Sequence, residues 1–308
     1  MIAVIAALLP VFLLIVTGFL LRRWLIAEDA HWIGLERLLY YVMFPALLIE
    51  SLSRADLARV PVIAVGGTLL TAVFLMAGLC LAIRPLLKRH LGTDDAAFTS
   101  LFQGATRWQT FVALAVAGNL FGDLGLALAS VAMVAMIPVL NAMSVWVLAR
   151  YASPTRPDWR AVMLVIVQNP FIWACAIGLA LNPLAVWVPQ PAHAFIDALG
   201  RSSLALGLLI IGAGLRIGEL IRPNAVTFAA CALKLVVMPA IAIVIALGCG
   251  LSGTNLAVVA CCASVPASSN SYVMARQMGG DAPLMAQILT FQTALAAITM
   301  PLVIGLVS

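Results

Sequence analysis

The sequence predicts an all-α membrane protein of ten transmembrane helices in two inverted five-helix repeats, with helices 4 and 9 broken where they cross. Three observations predict it. First, 64% of the 308 residues are hydrophobic and 9% are charged, with a mean hydropathy of +1.12. A soluble domain carries about 25% charged residues, so the excess apolar surface must face lipid. Second, apolar runs of membrane-crossing length recur ten times. Third, motifs in the first half return in the second at a near-constant offset.

Ten spans of about 20 residues use about 200, leaving roughly 100 for connections. That excludes a sizeable soluble domain. The net charge of +5 is scattered over short loops, which excludes a nucleic-acid partner. Cys80, Cys175, Cys231, Cys249, Cys261 and Cys262 form no CxxC pair and read as buried small apolar residues. His31, His90 and His193 fall at loop edges with no HExxH pattern, so neither a metal nor a cofactor is expected.

The spans fall near 2–21, 32–52, 61–83, 96–119, 124–149, 161–181, 194–215, 225–248, 254–275 and 284–307. Span 1 has no positive region before it and is followed by Arg22 and Arg23, the reverse of a cleavable signal; it reads as a permanent helix with its N-terminus outside. Trp24, Trp32, Trp159 and Trp187 sit near span ends, as interfacial anchors do. With loops numbered alternately, one side holds Arg22, Arg23, Arg84, Lys88, Arg89, Arg150, Arg156, Arg160, Arg216, Arg222 and Arg276. The other holds Arg54 and Arg59, a bias of eleven to two. By the positive-inside rule the rich side is cytoplasmic and both termini face away from it. Arg156 is therefore expected inside and Ser308 outside.

Pro10 and Gly18 in span 1 recur as Pro170 and Gly178 in span 6, and Asn119-Leu-Phe-Gly-Asp123 lines up with Gln277-Met-Gly-Gly-Asp281. Residues 1–150 and 159–308 thus form two repeats of five spans. Five is odd, so the second enters from the opposite side, an architecture typical of secondary transporters.

In such carriers the site lies where paired helices unwind near the midplane. Span 9 contains Ala263-Ser-Val-Pro266-Ala-Ser268-Ser269-Asn270-Ser271, and span 4 contains Gln103-Gly-Ala-Thr-Arg107-Trp108-Gln109-Thr110. Trp108 falls opposite Pro266 at the repeat offset. Both lie about a dozen residues into their spans, about 18 Å deep in a core of about 30 Å. Pro266 alone would suit a simple kink, and the serines would suit helix packing; the pairing favours two broken helices. Arg107 is a charge near mid-bilayer, which costs about 2.5–3.5 kcal/mol on insertion scales. Either it binds carbonyls freed by the break or it attracts an anionic substrate. Lys234 in span 8 either joins that site or snorkels to the cytoplasmic surface. Arg37 and Arg201 read as structural or snorkelling. Asn169 before Pro170 either marks a capped kink or belongs to the site, and Gly212-Ala-Gly214 allows close helix packing. The substrate-binding set is then Arg107, Trp108, Gln109, Thr110, Pro266, Ser268, Ser269, Asn270, Lys234 and Asn169.

Pro10-Val-Phe-Leu-Leu-Ile-Val-Thr-Gly18 with Arg22-Arg23, then Leu38-Leu-Tyr-Tyr-Val-Met-Phe-Pro45, Asn169-Pro170 with Gly178, Lys234-Leu-Val-Val-Met-Pro239 and the Pro266 region together resemble the auxin efflux carrier family. The resemblance runs essentially the whole length. It implies the fold shared with bile acid:sodium symporters, with spans 1, 2, 6 and 7 as scaffold and spans 3–5 and 8–10 as a moving, elevator-like transport domain. It also implies small carboxylate substrates such as malate, malonate or an auxin-like acid. The family often has Arg-x-Asn-Thr in span 4; here Gln109 lengthens the arm and Trp108 adds bulk. No acidic residue accompanies Pro266, where a sodium-coupled relative places a carboxylate.

The expectation is therefore a secondary carrier for a small organic anion in the inner membrane. The alternatives are a sodium-coupled symporter of bile-acid type and an anion channel. An enzyme is not expected, because Ser264, Ser268 and Ser269 have no histidine or carboxylate at their depth. The expected partners are the anion and the lipid bilayer, and the sequence allows a homodimer.

Overall fold

The computed structural model describes residues 2–55, 61–152, 170–216, 218 and 223–307. Among these residues every regular element is helical. The helices are α1 (Ile2–Trp24), α2 (Asp29–Leu38), α3 (Phe44–Ser53), α4 (Val62–Leu91), α5 (Asp95–Thr106), α6 (Thr110–Tyr151), α7 (Pro170–Leu181), α8 (Gln190–Ala213), α9 (Ala225–Ala232), α10 (Met238–Gly248), α11 (Gly253–Ser264), α12 (Asn270–Met278) and α13 (Ala282–Val307). A π-turn at Leu39–Met43 joins α2 to α3, and another at Leu233–Val237 joins α9 to α10.

Seven stretches are long and apolar enough to cross a membrane: Val4–Trp24, Asp29–Ser53, Ile63–Leu91, Asp95–Tyr151, Gln190–Ala213, Ala225–Gly248 and Ala282–Val307. The fourth, of 57 residues, contains both predicted spans 4 and 5. Its turning point is Gly122, whose φ of 60° and ψ of −147° lie outside helical geometry, so α6 comprises two helices. That left-handed region carries no penalty for a residue without a Cβ. The shorter apolar helices Pro170–Leu184 and Gly253–Ser264 fall in predicted spans 6 and 9. The first half of predicted span 6, with Asn169, and the positions Arg59, Arg156, Trp159, Arg160, Arg222 and Ser308 lie outside the described residues.

Local chemistry sets the helix ends. The Asp94 carboxylate caps α5 by accepting from the Ala97 amide at 2.7 Å, and Asn224 caps α9 by accepting from the Thr227 amide at 2.8 Å. α4 stops at Gly92, with φ 62°, after Lys88, Arg89 and His90 fill its last turn. Each π-turn ends just before a proline, Pro45 or Pro239. Proline cannot donate and crowds the carbonyl four residues earlier. The wider π-turn absorbs that conflict without ending the helix.

The helices pack in two groups. α1 lies against α8, and α3 against α7 and α8; α4, α5, α9, α10, α11 and α13 pack with one another, and α6 touches both groups. The α1–α8 contact is backbone to backbone. A Cβ on Gly212 would lie 1.8 Å from the Ile15 oxygen, and one on Gly18 would lie 2.0 Å from the Leu209 oxygen. Five cysteines are buried as expected. Cys249 is exposed instead, because it follows the last turn of α10 at the surface. His193 stands in the first turn of α8, beside the preceding loop, and is buried against Glu50.

Candidate functional site

Both expected breaks are present. α5 ends at Thr106, and Arg107 continues in extended geometry (φ −72°, ψ 157°). α11 ends at Ser264, and Val265 does the same (φ −67°, ψ 152°). The chains resume as helices at Thr110 and Asn270. The two segments meet: the Gln109 amide donates to the Pro266 carbonyl at 2.8 Å, and the Gln109 side-chain Nε2 donates to Ser269 Oγ at 2.9 Å.

A third helix stabilises the crossing. Gln292 of α13 is fully buried. Its Nε2 donates to the Gly104 carbonyl at 3.0 Å and the Ala230 carbonyl at 3.2 Å, and its Oε1 accepts from the Ala267 amide at 2.9 Å. One side chain therefore satisfies main-chain groups of α5, α9 and the span 9 break. In an apolar surround such groups must find protein partners. The sequence reading overlooked Gln292, although an amide in the middle of an apolar span is itself a signal.

A cavity of about 510 Å³ opens at the crossing. Arg107, Trp108, Gln109, Thr110, Ser268, Ser269 and Asn270 line it. Tyr40, Tyr41, Phe111, Phe171 and Ile210 form its walls, and Glu36 and Arg37, in the last turn of α2, also line it. Arg107 is 5% exposed and Trp108 2%. Arg107 Nη1 contacts Met274 Sδ at 2.8 Å. Arg107 Nε and Trp108 Nε1 are buried donors without a partner among the described residues. The guanidinium does not bind freed carbonyls in any bond the structure shows. The first turns of α6 and α12 begin at this cavity, and helix N-termini carry unpaired N–H groups and a positive partial charge. The arrangement offers donors and positive charge to an anion and apolar contact to its body.

Other expected residues sit elsewhere. Pro266 is buried and contributes only its carbonyl to the crossing. Lys234 does not line the cavity and does not snorkel; it is fully buried in the second π-turn, and Nζ has no partner among the described residues. Asn169 lies outside the described residues. The aromatic walls also escaped the sequence reading, because single tyrosines and phenylalanines in apolar spans carry no spacing signal.

A second cleft, of about 430 Å³, lies between α3, the Gly122 corner and α8. There Arg201 Nε donates to both Asp197 oxygens at 2.7 and 2.9 Å, and its Nη2 donates to Asp123 at 3.2 Å. His193 Nδ1 lies 3.0 and 2.9 Å from the two oxygens of Glu50. These pairs hold helices together, in line with a structural Arg201.

Compared with known proteins, the chain matches the family described as membrane transport protein over residues 3–304. No curated protein matches.

Proposed function

The chain belongs to the membrane transport protein family of the auxin efflux carriers, a transport family rather than an enzymatic one, and we propose that this integral multi-pass transporter is a secondary carrier for a small organic monoanion. The observation that carries the reading is Arg107: a buried guanidinium, its Nε without a partner among the described residues, lining a cavity on which two helix N-termini converge. The cavity's formal charges are Arg107 and Arg37 against Glu36. A surplus of one positive charge suits a single carboxylate better than two. The carboxylate is held at the breaks by Arg107, Trp108 Nε1, Thr110, Ser268, Ser269 and Asn270, while its apolar body packs on Tyr40, Phe111 and Phe171.

The packing in two groups supports alternating access. α1, α3, α7 and α8 serve as scaffold, and α4, α5, α9–α11 and α13 move past them with the site, α6 touching both. The eleven-to-two charge bias orients the start of the Asp29–Ser53 span toward the cytoplasm, and the first half of that span, from Ile33 to Tyr41, lines the cavity, so the cavity faces inward in this state, and the termini lie on the non-cytoplasmic side of the cell membrane. An anion leaving the cell gains about 2.3 kcal/mol per charge at 100 mV, enough for roughly 50-fold export. Uptake needs a co-transported cation.

The test is counterflow in liposomes with labelled benzoate, indole-3-acetate, malonate and succinate, with and without sodium. Sodium-independent exchange of a monocarboxylate is expected. Exchange of none of the four would overturn the reading, and strict sodium dependence would restore the sodium-coupled alternative.

A further inference from the structure

Lys234 is a buried amine that the cavity does not use. It lies on the π-turn Leu233–Val237, which packs against α5, α9, α10, α11 and α13. The ionisable residues of those five helices are few. Asp95 stands in the first turn of α5, bonded to Arg84 at 2.6 Å; Cys231 is on α9, and Cys261 and Cys262 are on α11. Asp281, just outside α13, caps the Leu284 amide. No carboxylate in the interior of these helices faces Lys234.

Its depth is that of the crossing. Gln292 bonds the Gly104 and Ala230 carbonyls together, which sets those residues at one level. Arg107 lies three residues beyond Gly104, and Lys234 four beyond Ala230. α5 and α11, which both pack on the π-turn, end at the crossing with their carbonyl-bearing C-termini, and such ends favour a cation. In the same layer, Gln103 is fully buried, and neither atom of its amide has a partner among the described residues. Two orphan polar side chains in one apolar layer are costly unless something intermittently satisfies them.

We propose that Lys234 is a proton-binding site of the moving helix group, and that anion transport is coupled to one proton carried there. This rests on the carrier reading above. In the step, the lone pair of the Lys234 amine takes H⁺ from water on one side, forming the ammonium; on the other side the N–H bond breaks and H⁺ returns to water. No other bond changes. An anion at the crossing attracts the ammonium, and its departure leaves that charge without a counter-ion, so the two are taken up and released together. Lysine suits the role because, unlike arginine, it can shed its charge. Anion plus proton add no net charge to the moving group, so the membrane potential does not oppose uptake.

The chain has two lysines, Lys88 and Lys234, and Lys88 is exposed at the end of α4. That makes a direct test feasible. The protein is labelled with ¹⁵N-lysine, purified without any added anion, and followed by NMR, with Lys88→Arg assigning the signals. Below about pH 9 an exposed lysine stays protonated. Over that range the Lys234 signal is expected to move between its ammonium and amine positions while Lys88 stays fixed. A Lys234 signal that keeps one form throughout overturns the proposal. In sodium-free liposomes an inward proton gradient should drive benzoate accumulation. Lys234→Met should lower the ratio of gradient-driven accumulation to exchange in the same vesicles at least tenfold; an unchanged ratio also overturns it. Absence of exchange by the unaltered protein would sink the carrier reading alone, because the NMR titration requires no anion.

Discussion

The backbone amide of Gln109 donates to the carbonyl oxygen of Pro266 across 2.8 Å. The residues lie in opposite halves of the chain, and this bond joins the two broken segments through main chain at the point where each has stopped being a helix. The second bond, from the Gln109 side chain to Ser269, makes the contact two-pronged.

Replacing Pro266 tests whether the break matters. Alanine is favoured over proline inside a helix by about 3 kcal/mol, so Pro266→Ala should let the helix that ends at Ser264 run on and withdraw the 266 carbonyl from Gln109. Transport is expected to slow about tenfold, with thermal stability unchanged or raised, read by exchange in liposomes and by a melting curve. Wild-type exchange rates would show that the break is not used.

Arg107→Gln removes the deep positive charge and keeps a polar side chain. Hydrogen bonds to charged groups contribute about 1.5–3 kcal/mol, so affinity for a transported monocarboxylate should fall about 10- to 150-fold in calorimetric titration, with the fold intact. If Arg107 were instead a structural clamp, the variant would fail to fold. A folded variant of unchanged affinity would mean that the anion is held elsewhere.

Gln292→Leu leaves the Gly104 and Ala230 carbonyls and the Ala267 amide without the partner they share. Each stranded buried group costs about 1–3 kcal/mol, and relaxation recovers part of that, so a loss of roughly 3 kcal/mol is expected. It should appear as a clear drop in melting temperature in detergent. A melting temperature equal to wild type would remove Gln292 from its bracing role.

Gly212→Ala places a methyl group 1.8 Å from the Ile15 oxygen. α1 and α8 must then separate, at about 1–3 kcal/mol or more for overpacking. Gly67→Ala in α4 meets nothing within 4 Å and should gain about 0.5–1 kcal/mol from helix propensity. Opposite shifts in melting temperature for these two substitutions are the expected result.

The membrane class and both breaks were legible because each leaves a local mark: apolar runs, a proline among serines, an arginine in an apolar span. The pairing of the breaks was nearly so. The repeat offset set Trp108 opposite Pro266, and the structure sets Gln109 there, one residue on. What local pattern cannot carry is direction. Lys234 reads as either a site residue or a cation snorkelling to the cytoplasmic surface, yet its helix turns it to full burial away from the cavity. The joining of Glu50 to His193 depends on how α3 packs on α8, and so does Gln292's reach to three separate segments. Spacing within one span does not encode such contacts.

The two π-turns also change how each helix is phased. A π-turn carries one residue more than the α-helix around it, which amounts to about 100° of rotation. The stripe that α2 turns to its surroundings is thus not continued by α3: one residue of α2 is buried, against six of ten in α3. A single continuous helical wheel drawn over Asp29–Ser53 therefore misassigns its faces. Removing one residue from Leu39–Met43 would restore the α count and bring Pro45 back into conflict with the preceding turn. It would also swing α2, with Glu36 and Arg37 in its last turn, around the helix axis and away from the cavity they line. The surplus residue thus acts as a phase setting for the cavity, adjustable by insertion or deletion and untouched by substitution.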